Sequence, residues 1–228
     1  MTLRRVVVCG LLLLMIVPAF AGDIVSMPTG NMVPAGKIEL NYIHWNLKTP
    51  PNGPGDTEVG ELFMGVTDRL ELDVDTLHTK DGLPNGKKNV TEVNAYFKLI
   101  DETDTHPSLI VGATNIAAAN FLPNSADING DNVSPFVLGA YNVQVPQGPP
   151  TWSDPLIRLQ AGYGTHAHEK QPFGGFQFLF TPKIGAAWFN YTGAPAYMGV
   201  YMPNSTWQVR GGWFRGAPFG SLGLDCKW

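Results

Sequence analysis

Residues 221–228, the last eight of the chain, read SLGLDCKW. Leu222, Leu224, Cys226 and Trp228 are apolar, and Ser221, Gly223, Asp225 and Lys227 between them are small or charged. Successive side chains of a strand point to opposite faces, so this alternation predicts a strand with one apolar and one polar face. Chain ends fray unless something ties them down. An amphipathic strand carried to the last residue therefore predicts a terminus held by its neighbours.

The other end is of a different kind. Residues 1–21, MTLRRVVVCGLLLLMIVPAFA, place Arg4 and Arg5 before an apolar run from Val6 to Val17, and Ala19-Phe20-Ala21 supplies a small-x-small cleavage site. This is the pattern of a secretory signal peptide, removed from the mature chain. The run is short for a membrane helix, which needs about 20 apolar residues, and no later run is longer. Cys226 is then the one cysteine left, so no internal disulfide forms. Stability must come from a large core or from a closed hydrogen-bonded framework. Charged residues make up 15% of the chain, hydrophobic ones 44% and aromatic ones 11%, against about 25% charged residues in an ordinary soluble domain. The net charge of -4 leaves no basic footprint for nucleic acid.

Between the ends there is no sustained helical periodicity. Short alternating runs rich in Val, Ile, Phe, Tyr and Trp recur, punctuated by Gly, Pro, Asn and Asp. In ELFMGVTDRLELDVDTL, Thr67-Asp68-Arg69 is a tight turn, and Leu70, Leu72 and Val74 alternate with Glu71, Asp73 and Asp75. Equivalent turns fall at Thr181-Pro182-Lys183 and Pro203-Asn204-Ser205, where Pro presets φ and Asn closes the bend. About twelve strands are predicted, at 37–46, 57–66, 70–78, 91–100, 108–117, 134–145, 156–164, 174–181, 184–192, 196–202, 206–215 and 219–228. Their lengths fit the ~9–11 residues with which a strand crosses a bilayer. Tight turns alternate with longer polar connections such as NLKTPPNGPGD, TKDGLPNGKKN and FLPNSADINGDN. That alternation puts the two kinds of connection at opposite ends of one sheet.

The chain resembles bacterial outer-membrane β-barrels of the small porin-like class. GVTDRLELDV and LFTPKIGAAWFNY resemble their strand–turn–strand units, and SLGLDCKW resembles their C-terminal signature, a final aromatic residue preceded by alternating apolar ones. The resemblance implies an all-β fold: a single closed antiparallel up-and-down transmembrane barrel. It implies a cleaved segment 1–21, a periplasmic lead at 22–36 with DIVSMPTGNMVPAG as a plug-like entry, and a barrel over 37–228. It further implies location in the outer membrane, contact with its lipid, and recognition of Leu222, Leu224, Cys226 and Trp228 by the barrel-assembly machinery. Cys226 departs from the pattern, since an aromatic or larger apolar residue is commoner there.

The physics of the faces points the same way. In hydrocarbon every backbone polar group needs a partner, so only helices and closed barrels span. Val93, Ala95, Phe97 and Leu99 share a face opposite Asn94, Tyr96 and Lys98, and Ile157, Leu159, Ala161 and Tyr163 oppose Arg158 and Gln160. A soluble sandwich or barrel, exported and binding a small apolar ligand, gives the same alternation with the polar face in water. Trp45, Trp188, Trp207, Trp213 and Trp228 lie near strand ends. An aromatic girdle explains them, and core packing explains any one of them equally.

If the polar faces line a lumen, its candidate residues are Glu39, Glu71, Asp73, Asp75, Lys98, Arg158, Gln160, Gln177, Gln208, Arg210, Asp225 and Lys227. Two readings stand side by side. Charges along a pore select small solutes. The same charges, paired, fill a barrel that is mainly structural in the envelope. A barrel hydrolase would need a histidine and a serine two apart on one strand. Thr165-His166-Ala167-His168-Glu169 has no serine in that spacing and no third metal ligand nearby. Asp127–Asn132, DINGDN, opens like a calcium loop, yet its twelfth position is Leu138 and not an acid. No catalytic residue, metal site or cofactor is predicted.

Overall fold

The computed structural model describes residues 30, 32–47, 55–80, 88–116, 133–144, 156–165, 171–181, 183–191, 194–204, 206–214 and 216–227. Twelve strands follow in chain order: β1 (Lys37–Leu47), β2 (Gly55–Thr67), β3 (Leu70–Thr79), β4 (Asn89–Ile100), β5 (Ser108–Thr114), β6 (Ser134–Gln144), β7 (Leu156–Gly164), β8 (Pro172–Thr181), β9 (Ile184–Tyr191), β10 (Ala194–Tyr201), β11 (Trp207–Phe214) and β12 (Ala217–Lys227). Each pairs antiparallel with its sequence neighbours, and β1 pairs with β12, so the sheet closes on itself. The seam runs from Lys37 opposite Lys227 to Trp45 opposite Phe219. Closure leaves no open edge, which a membrane barrel requires. The C-terminal strand, bonded to β1 on one side and β11 on the other, is tied along its length.

All twelve predicted strands are present. The largest shift is in β5, which ends at Thr114 rather than 117. Asn115 takes a left-handed φ of 57°, and its N–H bonds the side-chain oxygen of Asn94 at 2.9 Å instead of continuing the ladder. Asn tolerates that conformation better than most residues.

The tight turns share one device, a side-chain oxygen that takes two backbone N–H groups. Thr67 Oγ1 accepts from Arg69 N (3.1 Å) and Leu70 N (2.9 Å). Thr181 Oγ1 accepts from Lys183 N and Ile184 N, both at 3.1 Å. Asn204 Oδ1 accepts from Thr206 N (2.9 Å) and Trp207 N (3.0 Å). Ladder irregularities precede the first two turns, between Gly65 and Thr67 and between Leu179 and Thr181, and such bulges sharpen the local twist. The connection after β4 is ion-paired on its outside: Asp101 meets Arg69 Nη2 at 2.8 Å and Lys98 Nζ at 2.9 Å. The Lys98 hydrogen bond, its charge and then Arg69 hold the Asp101 carboxyl below its ordinary range. The pairing is therefore present at neutral pH and weakens only as pH falls through that lowered value.

The outer face is apolar around the sheet. Leu40, Tyr42, Phe97, Val137, Leu159, Phe176, Tyr197, Val209, Trp213 and Leu222 are all exposed, far more than a soluble monomer leaves uncovered. At the loop end of β1–β3 a polar row, His44–Glu58–His78, lies in register across the three strands and marks one border of this surface. Among the described tryptophans, Trp207 and Trp213 face outward, and Trp188 stacks on Phe176 at 5.9 Å between ring centres. Trp45 does not join a girdle: it is 3% exposed and packs inside the barrel on Phe214 at 5.3 Å. Its odd-numbered position on β1 shares the inner face with Glu39, Asn41 and Ile43. On the outer face Leu159→Arg puts a cation where lipid would lie, and a loss of about 2–4 kcal/mol in folding stability into bilayers is expected. Folding titrations of the variant into lipid vesicles measure it.

Candidate functional site: a barrel interior in two halves

Two polar networks, a group of buried carboxylates on β2–β4 and an apolar belt stand out in the described interior. The first network lies over the seam. Arg210 Nη2 donates to Glu39 Oε1 at 2.7 Å, Gln208 Nε2 to the same oxygen at 2.6 Å and Asn41 Nδ2 at 3.0 Å. Arg210 Nε reaches Gln208 Oε1 at 3.3 Å. Glu39 and Asn41 belong to β1, and Gln208 and Arg210 to β11, so the network bridges β12. It crosses at Gly223, where a Cβ would come within 2.4 Å of Asn41 Oδ1 and 2.5 Å of Gln208 Cγ. A glycine in the final strand is what lets the side chains of its two neighbours meet. The residue pair Glu39–Arg210 is buried on both sides, at 1% and 3% side-chain exposure, so its charges are compensated by each other and by two amides rather than by water.

The second network holds the chain just before β1. Arg158 Nη2 donates to Gly30 O at 2.6 Å, and Gly30 N donates to Gln160 Oε1 at 3.2 Å. Gly30 lies on Ala140 of β6, where a Cβ would come within 2.0 Å of that residue's own Cβ. Val33 N donates to Glu71 of β3, and the Val33 side chain packs on Phe63 of β2. The Val33 and Pro34 carbonyls press on Gly65, 2.4 and 2.1 Å from where its Cβ would stand. β2 and β6 are four strands apart in the closed order. Gly30 and Val33, three positions apart, are met by side chains reaching in from both walls. Gly30 and Val33–Pro34 thus form a strap held against opposite walls of the interior near the turn end. Arg158 also pairs with Glu102 at 3.1 Å, and Glu102 Oε1 accepts from Asn142 N at 2.6 Å. One arginine ties strap, β7 and the β4–β5 turn together.

The remaining sequence candidates fall in several places. Glu71, Asp73 and Asp75 of β3 are buried together on the inner face, with Glu61 and Glu92 on the strands either side, and Asn94 Nδ2 donates to Asp75 Oδ2 at 2.9 Å. Gln177 is buried on β8. Asp225 is half-buried on β12, its backbone opposite Glu39. Lys98 sits at the rim, its ammonium turned to the exposed Asp101. Lys227 pairs its backbone with Lys37; its side chain and Trp228 lie outside the described residues, as do His166, His168, Glu169 and the 127–132 loop. Of the C-terminal set, Leu222 is exposed and Leu224 and Cys226 are half-buried on the face opposite Gly223. Among the described residues no group of three His, Cys, Asp or Glu side chains could hold a metal ion.

The part that sequence reasoning missed is apolar. Toward the loop end the inner face carries large rings, each set beside a small residue on the next strand. Across β4–β7 the paired row reads Tyr96, Gly112, Phe136, Gly164. Across β9–β12 it reads Phe189, Ala196, Phe214, Ala217. Phe173 lies opposite Gly162, Phe189 also opposite Gly175, and Phe219 between Gly212 and Trp45. Neighbouring rings touch: Tyr96–Phe136 at 5.5 Å and Phe136–Phe173 at 6.2 Å. Alternating large and small residues lets bulky side chains fit inside a closed sheet. The individual phenylalanines are plain in the sequence, but their pairing with glycine depends on register, which no local pattern displays.

No protein-family model matches the chain, and no curated protein is significantly similar to it. Solved structures do match its fold. Over 84% of this chain and 99% of the other, it is similar to KdgM porin, with 13% identity and a TM-score of 0.51. The Acinetobacter baumannii outer membrane protein Omp33 matches 84% of the chain over 98% of its own length, at 12% identity and a TM-score of 0.49. The COG4313 outer membrane channel from Pseudomonas putida F1 matches 89% of the chain over its full length, at 13% identity and a TM-score of 0.41. In fold, this closed twelve-stranded barrel is therefore similar to that of KdgM porin.

Proposed function

We propose that the chain is an outer-membrane β-barrel of porin-like type, giving small solutes a controlled passage. The observation that carries this reading is the contrast between the two faces of one closed sheet. Outside is an apolar surface without a covering layer among the described residues, and inside are buried ion pairs, amides and carboxylates. A soluble barrel would reverse this arrangement. In this reading residues 1–21 direct export and are removed, 22–36 form the lead that becomes the strap, and 37–228 form the barrel. The assembly machinery reads Leu222, Leu224, Cys226 and Trp228, and outer-membrane lipid covers the exterior. The inner-face candidates named from the sequence line or brace the path.

Two experiments test the proposal. The mature protein should leave the membrane fraction only with detergent, migrate faster unheated than boiled on gels, and give single-channel currents in planar bilayers. Free solubility in buffer sinks the membrane reading, and a heat-modifiable barrel without current makes it a structural envelope protein. Arg158→Ala removes the side chain that holds Gly30, so the strap loosens and conductance should rise severalfold while the barrel still migrates as folded. Deleting Trp228, or replacing Leu224 with Asp, should cut recovery in the membrane fraction by roughly tenfold, since the apolar face of the closing strand is interrupted. Immunoblots of fractionated cells measure that loss.

A further inference from the structure

We propose that the outer wall binds one glycolipid of the outer leaflet, with an acyl chain in a groove across β9–β12 and a hydroxyl-bearing sugar head on the polar row of β1–β4. This rests on the membrane reading above. A single row of paired residues runs through Ala186, Gly199, Gly211 and Gly220 on β9–β12. It continues in register into His44, Glu58, His78 and Asn89 on β1–β4. All but the half-buried Ala186 are exposed on the outer face. Large residues flank the small half of the row, Trp188, Tyr197 and Trp213 toward the loops and Tyr201, Val209 and Leu222 toward the turns. They do not fold over the glycines. Apart from chain neighbours, the Cβ positions of Gly199 and Gly211 meet only a carbonyl oxygen, at 3.9 and 3.7 Å, and that of Gly220 meets nothing within 4 Å. Packing of the barrel does not call for these glycines, in contrast to Gly212 and Gly223, whose Cβ positions lie 1.8 and 2.4 Å from the nearest atom. Glycine weakens a strand interior, and a large side chain has room at all three positions. What their absence leaves is an open groove.

The groove has a direction. Ala186 stands two residues from the turn-side end of β9 at Ile184, whereas Gly220 and His44 stand seven from Lys227 and Lys37. Four strand spacings at a tilt of about 40° raise the row by roughly 12 Å, within the ~15 Å that one leaflet adds to the hydrocarbon core. It climbs from the apolar band to the loop-side border and ends on polar side chains. That is the course of an outer-leaflet lipid, chain below and head above. The polar end selects the class of head. His78 Nδ1 donates to Asn89 Oδ1 at 2.7 Å, which fixes the ring and leaves Nε2 as its other bonding atom. The Tyr42 hydroxyl hydrogen-bonds Glu58. Imidazole, carboxylate and amide side by side present donors and acceptors together, which suits hydroxyls that both give and take hydrogen bonds. Glu58 at the centre repels a phosphate, and the row itself holds no lysine or arginine. One row nearer the loops, Lys80 faces Asp56 at 4.0 Å, so its charge is already answered. A sugar head meets these groups, and a phosphodiester head does not.

Native mass spectrometry of the mature protein tests this. The protein, in tetraethylene glycol monooctyl ether, which carries no sugar, is mixed with equal amounts of a dephosphorylated, acylated glucosamine disaccharide and of phosphatidylethanolamine. Each chain should retain one glycolipid, preferred about fivefold or more over the phospholipid through the added hydrogen bonds. Gly199→Leu with Gly211→Leu fills the groove where there is room and where neither φ is positive. Retained glycolipid should then fall about tenfold through the lost apolar contact, while heat-modifiable migration persists. Gly139→Leu, at an equally open outer position of β6, should leave retention unchanged. His44→Ala with His78→Ala should still retain lipid but bring the preference toward one. Should the leucine variant not assemble, the native preference and the histidine variant decide. Equal retention of the two lipids, retention that the leucines do not change, no retained lipid, or a dimer of the chain in place of lipid overturns the proposal and leaves the membrane reading intact. A protein that stays in solution without detergent overturns both.

Discussion

Gly212→Val should abolish assembly of the barrel, whereas Gly220→Val, on the next strand, should assemble normally. At Gly212 a Cβ would stand 1.8 Å from the carbonyl oxygen of Tyr197 and 2.9 Å from Met198 Cα. Both are backbone of β10, which Gly212 opposes in register. No rotamer relieves a clash with main chain, so β11 would have to leave its ladder. Gly220 has nothing within 4 Å of its Cβ position and lies on the exposed outer face, where valine is accommodated. The expected loss at Gly212 exceeds the 1–3 kcal/mol of ordinary overpacking, because the obstacle is sheet and not side chain. Heat-modifiable migration of the two variants, expressed side by side, reads the difference. Equal assembly of both would mean that β10 and β11 do not meet as described.

Arg210→Ala is the second large effect. It leaves Glu39 buried with its principal charge partner gone, a change that typically costs about 3–5 kcal/mol. Gln208 and Asn41 still donate to the carboxylate, which keeps the loss toward the lower end. Replacing both ends, as Glu39→Gln with Arg210→Met, removes charge and countercharge together and should recover most of the stability. Because the network spans β1 and β11 across Gly223, the single variant should open the barrel at the seam first. Urea titrations of the refolded protein in detergent, following tryptophan fluorescence, give the three stabilities. A double variant no better than the single one would show that the ion pair is not what couples these strands.

The strands were legible because the signals that define them are local. Alternation, turn residues and length place all twelve to within three residues, and Thr67, Thr181 and Asn204 do the turn chemistry that their types suggest. β5 was read too long because Asn115 looks like any polar strand residue until its φ is known. Which polar residues meet was not legible. Glu39 and Arg210 are 171 positions apart and on strands that are not themselves paired; their contact needs closure, register and a glycine between them. Lys98 shares a face with Asn94 and Tyr96, yet it ends at the rim because the ladder shifts between Lys98 and Ile100 and Asp101 offers it a partner. The apolar belt was hidden for a related reason. Phe136 and Phe173 alternate with small or apolar neighbours, and hydrophobicity alone cannot say whether a ring faces outward or inward when both faces of a strand are greasy.

The claim on which the whole account depends is that the first strand closes on the last within a membrane. Leu40 and Leu224 are opposed in that seam, and with Cys226 replaced by alanine the mature chain has no other thiol. In the variant carrying Leu40→Cys and Leu224→Cys, oxidation or a short bis-thiol reagent applied to isolated outer membranes should join the two positions. The product is a near-circular chain that migrates apart from the linear one after boiling and reverts with reductant where the link is a disulfide. A barrel that is not closed at this seam gives no such species, and recovery of the protein in the soluble periplasmic fraction would contradict the account outright.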